Sequence, residues 1–108
     1  GRNIDSFTES ALVGFSISKN SSMNADQLKQ RTKIFAIENA KFCRMIHSDA
    51  LLKPYTIQLI RASSSVGANY RAACRAKSGK DFINKLKIVE EECDECMFFL
   101  ELIGDLEN

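Results

Sequence analysis

Along residues 80–103 the apolar positions Phe82, Leu86, Val89, Cys93, Cys96, Leu100 and Ile103 recur at alternating steps of four and three. At 3.6 residues per turn such positions share one face, the seam of a helix packed on other helices. Ser78 is the expected N-cap, Asp81 three residues on completes a capping-box-like pair, and Gly104 is the expected stop. A second helix fits about residues 25–47, where Leu28, Phe35 and Phe42 repeat every seven with Thr32, Asn39 and Ile46 between them. Asp26 or Asn24 is placed to cap it. Residues 48–53 read as a connection, and Pro54 suits the first turn of a further helix, where its missing N–H is not needed. That helix runs to about Ala76, with Leu59, Ala62, Val66, Asn69, Ala73 and Ala76 on one stripe and Gly79 in the turn that follows.

Much of that stripe lies in "SSSVGANYRAACRAKSGKDF", residues 63–82, a run of Ser, Ala and Gly interrupted by bases. Small side chains let a neighbouring backbone approach closely. Ser65, Gly67, Asn69 and Ala73 are therefore expected to serve packing, with the phenylalanines of the other helices filling the space. A glycine inside a helix costs about 1 kcal/mol relative to alanine, so Gly67 marks tight packing or a bend. Asn69, if buried, needs hydrogen-bond partners and is placed to fix register. Residues 1–22 carry Ile4, Phe7, Ala11, Val13, Phe15 and Ile17, enough for a short helix, before the polar "SKNSS"; Met23 follows in a context that looks like a native start.

A chain of 108 residues is one domain's worth. Its ordinary apolar and charged content, with one Pro and no Trp, fits a helical globular class. No segment approaches a membrane span, and no secretory leader is visible, so cytoplasm is the expected location. The four cysteines sit inside helix-patterned sequence and read as reduced thiols. The net charge of +1 hides a segregation: residues 49–89 carry eight bases and two acids, residues 90–108 no base and eight acids.

Catalytic chemistry finds little to work with. Cys93-Asp-Glu-Cys96 has metal or redox spacing, but both thiols lie on the seam and no second pair exists, so core cysteines are the expectation. Cys43 and His47 stand one turn apart without a further ligand, and the His reads as a solvent-facing or C-terminal cap residue. The acids Glu90, Glu91, Glu92, Asp94 and Glu95 lack the Glu-x-x-His motif of carboxylate metal sites in bundles. With one His, no phosphate loop and no nucleophile arrangement, the chain is expected not to be an enzyme and to need no cofactor or metal. The bases remain: Arg61, Arg71, Arg75, Lys77 and Lys80 are the candidate nucleic-acid contacts, with Lys85 and Lys87 nearby. Their alternative role is to pair with acids of the next helix, or with an acidic patch on a neighbouring copy.

The run "SSVGANYRAACRAKSGKDFINKLKIVEEECDE", residues 64–95, resembles the signature of the bacterial four-helix-bundle family of 23S rRNA intervening-sequence proteins, also called S23-type. The resemblance begins at "MNADQLKQRTKIFAIENAKF" and extends to about Ile103. Arg61, Ala62, Ser65, Val66 and Asn69 stand in the family's places, while Arg71-Ala72 and Glu91-Glu92 replace its commoner pairs and Glu95 keeps its acid. The resemblance implies an all-α, up-and-down four-helix bundle and ring-like homo-oligomers that are pentamers in characterised relatives. It also implies a distant kinship with the accessory variability determinant of diversity-generating retroelements, and through it RNA, DNA, a reverse transcriptase or another protein as partner. Residues 23–108 then supply helices one to three. Residues 1–22 are the expected fourth helix, placed at the front by a circular permutation, either engineered or a matter of how the chain is numbered; the natural termini of such a bundle lie at one end.

Overall fold

Asn24 starts the first helix of the computed structural model, which describes residues 24–107. Its side chain accepts from the Gln27 N–H at 2.8 Å, and the Gln27 amide oxygen accepts from the Asn24 N–H at 3.0 Å. This reciprocal box satisfies two amides that the helix itself leaves unpaired, and it decides between the two expected caps in favour of Asn24. The helix, α1, spans Ala25–Ile46 and buries Thr32, Phe35, Asn39, Phe42, Cys43 and Ile46. Asp49 then organises the connection, its Oδ1 accepting from the amides of Leu51 at 2.9 Å and Leu52 at 3.4 Å.

The second helix, α2, spans Lys53–Cys74 with Pro54 in its first turn. It ends where the Arg75 N–H turns back to the Ala72 carbonyl and the Ala76 N–H to that of Ala73, two residues before the expected end at Ala76. The third, α3, spans Gly79–Glu107, and the Ser78 hydroxyl accepts from the Asp81 N–H at 3.1 Å as a cap should. Gly104 does not stop it. That residue is buried within the helix, and "DLE" continues it, because one internal glycine costs a helix only about 1 kcal/mol, which the burial of Leu100 and Ile103 beside it offsets.

The three helices run antiparallel in succession, as the pairs Cys43 with Thr56 and Arg61 with Glu95 require. Both α1 and α3 pack along α2, while their own backbones barely approach each other. Side chains close that gap at one end. There Ile46, Leu52, Leu59, Cys96, Leu100 and Ile103 are fully buried in one cluster, each large aliphatic among them contributing about 1.5–3 kcal/mol by leaving water. Toward the other end the expected α3 seam is less buried: Val89 and Cys93 are half-buried against the core cluster, Leu86 is half-buried, and Phe82 is 37% exposed. Ile34 on α1 and Ile83 on α3 are exposed at the same end.

All described residues are helix, turn or connection, so the all-α class holds; the described part contains three helices. The fourth helix expected from residues 1–22 lies outside the described residues. No described helix is long and apolar enough to cross a membrane.

Candidate nucleic-acid interface

The antiparallel order gathers the first half of α1, the second half of α2 and the first half of α3 at one end of the molecule. Residues 24–37 and 66–89, which make up that end, contain nine Lys and Arg against only Asp26 and Asp81. The opposite end, residues 38–65 and 90–107, holds four bases and ten acids. Over a long axis of 44 Å the fold therefore separates charge into two poles. Screening at physiological salt acts over about 8 Å, so the basic pole presents a local cationic field despite the near-neutral total.

Arg71 and Arg75, four residues apart on the outer face of α2, are exposed, as are Lys77 and Lys80 in the turn into α3. Among the described residues no acid lies within ion-pair distance of these four. Arg61 differs. Its guanidinium forks across to α3, with Nη1 3.2 Å from Glu92 Oε2 and Nη2 2.6 Å from Glu95 Oε1, and Nε donates to Gln58 at 3.2 Å. The hydrogen bond to Glu95, followed by the Coulomb pull of Glu92 and Glu95, holds this guanidinium even more firmly protonated than usual. For Arg61 the pairing alternative raised from sequence describes the geometry, and its charge ties α2 to α3.

Sequence reasoning missed Lys29 and Lys33 of α1, which the antiparallel pairing brings alongside Arg71. The signal was present in the basic balance of residues 23–48, five bases against two acids, but which helix they would flank depends on tertiary order.

The packing candidates are placed as follows. Gly67 faces α1, where a Cβ would meet Thr32 Oγ1 at 3.3 Å. Ala73 is buried and Ser65 half-buried. Asn69 is half-buried and donates through Nδ2 to the Ser65 carbonyl at 2.9 Å, so its demand is met within its own helix. The fully buried amide is Asn39: Nδ2 donates to the Phe35 carbonyl at 2.8 Å, while Oδ1 has no partner.

The chemistry weighed from sequence stays dispersed. Among the described residues no three His, Cys, Asp or Glu side chains gather as a metal site. His47 donates from Nδ1 to the Arg44 carbonyl at 2.6 Å, closing the last turn of α1. Burial pushes the Cys43 thiol up to about 11. Burial, then the charges of Cys93, Glu92 and Glu95, pushes Cys96 to about 12. Both are neutral at physiological pH, and a thiol is a poor nucleophile or metal ligand. Tyr70, raised to about 12 by burial and then by its hydrogen bond with Cys74, is likewise tied down.

Compared with known families, the model of the family described as 23S rRNA-intervening sequence protein matches residues 26–108, all three helices. The chain belongs to that family. No curated protein and no solved structure matched it. For this 23S rRNA-intervening sequence protein the match covers the Arg61 fork, the Gly67 contact and every base of the charged pole.

Proposed function

We propose that this chain is a non-enzymatic, oligomeric binding module whose basic pole holds the phosphate backbone of RNA or DNA. The observation that carries the reading is the pole itself: Arg71, Arg75, Lys77 and Lys80 stand exposed and, among the described residues, without an acid partner, at an end whose described residues hold nine bases and two acids. Bases with partners available on the next helix, as Arg61 shows, are consumed in ion pairs. Those left over are free to displace counterions from a polyanion.

Self-association is supported by a second surface. Ile34, Ile37 and Met45 follow one outer stripe of α1, and Ile57 and Ile60 are exposed on α2, with exposures of 41–68%. Such a patch favours a homo-oligomer, a pentamer on the family resemblance. Four helices per subunit is the associated fold on the same resemblance, and the partly exposed Leu86 and Phe82 of the α3 seam support a further apolar neighbour at that end. The retroelement kinship adds a reverse transcriptase to the candidate partners.

The test is fluorescence anisotropy with a structured RNA at low and high salt, combined with light scattering. Binding that weakens steeply with salt and is lost in the double variant Arg71→Ala, Arg75→Ala supports the reading. Absence of binding at low salt overturns it. One observation favours a second reading, a protein adaptor: the acidic pole on α3 offers a surface to which the basic pole of another protein or copy can dock. A homo-oligomer that dissociates in high salt and ignores RNA selects that reading.

A further inference from the structure

Resting on the nucleic-acid reading, we infer that the basic pole is built for a duplex, gripping the phosphates of both strands across a groove and reading no bases. The bases stand in two rows on two helices. Lys29 and Lys33 lie four residues apart on α1, and Arg71 and Arg75 four apart on α2. Side chains at that spacing share a helix face, with a rise of about 6 Å between them.

The register of the rows follows from Gly67. Its Cα side lies against Thr32, so in the antiparallel pair Lys33 is level with the Gly67 turn and Lys29 with that of Arg71, while Arg75 extends one turn further. Packed helices stand about 8–10 Å apart, and Gly67 faces Thr32 across this contact. The result is two parallel lines of positive charge, continued at the tip by Lys77 and Lys80. One strand needs only one such line.

Single-strand binders add aromatic platforms on which bases stack, each worth about 1–3 kcal/mol. This pole has none on the charged rows. Of the described aromatics at this end, Phe35 is buried, Tyr70 is half-buried with its hydroxyl bonded to Cys74, and Phe82, 37% exposed, belongs to α3 and to neither row. Backbone contact from two rows without stacking suits a helix whose bases are already stacked on each other, and it carries no sequence information.

The experiment is anisotropy of the full chain against a mixed-sequence 16-base-pair duplex, made as RNA and as DNA, a second duplex of unrelated sequence, and a 16-nucleotide oligo-uridine, at about 50–300 mM salt. Expected are at least roughly tenfold tighter binding of a duplex than of the single strand and about equal affinity for the two sequences. The pair Lys29→Gln, Lys33→Gln should flatten the salt slope as much as Arg71→Gln, Arg75→Gln does, by about 2 each on the rule of 0.9 per phosphate neutralised. Circular dichroism at 222 nm checks that both variants stay folded. Oligo-uridine binding as tightly as the duplexes, or a lysine pair without effect on the slope, overturns the duplex inference and leaves the nucleic-acid reading standing. Failure of every probe to bind at low salt overturns both.

Discussion

Replacing Gly67 by alanine pits two effects of known size against each other. In an open helix the change stabilises by up to about 1 kcal/mol, because glycine has more backbone freedom to lose. Here the new Cβ would sit 3.3 Å from Thr32 Oγ1, 3.5 Å from its Cβ and 3.6 Å from its carbonyl carbon. The last two are ordinary contacts, but the first is short by a few tenths of an ångström, and Thr32 has little room to yield. Its hydroxyl is bonded to the Lys29 carbonyl at 3.0 Å, and a β-branched side chain in a helix is stiff about χ1. Off-rotamer displacement of that kind costs about 0.5–1.5 kcal/mol, so Gly67→Ala should change stability by less than about 0.5 kcal/mol in either direction. Gly79→Ala is the control, since a Cβ there meets nothing within 4 Å, and a gain of about 0.4–1 kcal/mol is expected. Gly67→Leu must push α1 off α2 and should cost about 1–3 kcal/mol or more. Urea unfolding followed at 222 nm and extrapolated linearly measures all three. Gains of equal size at Gly67 and Gly79, with Leu tolerated at 67, would show that the helices do not meet at this glycine.

Leu59→Ala, at a fully buried site between the helices, is expected to cost about 2–5 kcal/mol, seen as a melting point lower by about 4–8 °C for each kcal/mol; a loss below about 1 kcal/mol would place Leu59 outside the core. Asn39→Leu removes a buried carbonyl oxygen without a partner and should be neutral or stabilising by about 1 kcal/mol in the same assay, whereas a clear loss would reveal a partner for Oδ1. The Cys43 and Cys96 thiols are raised in the fold to about 11 and about 12, so the unfolded chain sheds these protons first. Their stabilisation is complete below the ordinary thiol range and is lost as pH rises through the folded values; the urea midpoint should fall above about pH 9, less steeply in Cys96→Ala, and an identical pH profile in that variant refutes the assignment.

The α1 seam was readable because Leu28, Phe35 and Phe42 with Thr32, Asn39 and Ile46 obey a strict period, and five of those six are buried. Caps are local chemistry, so Ser78 and Pro54 were placed from neighbouring residues alone. Gly104 misled, since whether a glycine ends a helix or packs inside one depends on what lies against it, and that is tertiary. The same limit explains the α3 seam: periodicity marks Phe82 and Leu86 as apolar-facing but cannot say whether a neighbour arrives to cover them. At the candidate site, Arg71 and Arg75 were legible as a pair one turn apart, whereas Lys29 and Lys33 joined them only through antiparallel packing. Arg61 pairs with Glu92 and Glu95 for a related reason, because acids about thirty residues away in sequence sit one helix away in space.

Among the described residues, nine bases against two acids at one end and four bases against ten acids at the other make an electric dipole lying along the 44 Å axis. A dipole turns in a field before it touches the source. Near a polyanion the acidic end is repelled while the basic end is drawn in, so diffusing copies arrive already oriented and fewer collisions are wasted. Added salt shortens the range over which that torque acts, so it should slow arrival more than it hastens departure. Random collision in solution then becomes, at low ionic strength, a guided approach in which this chain lands on one end.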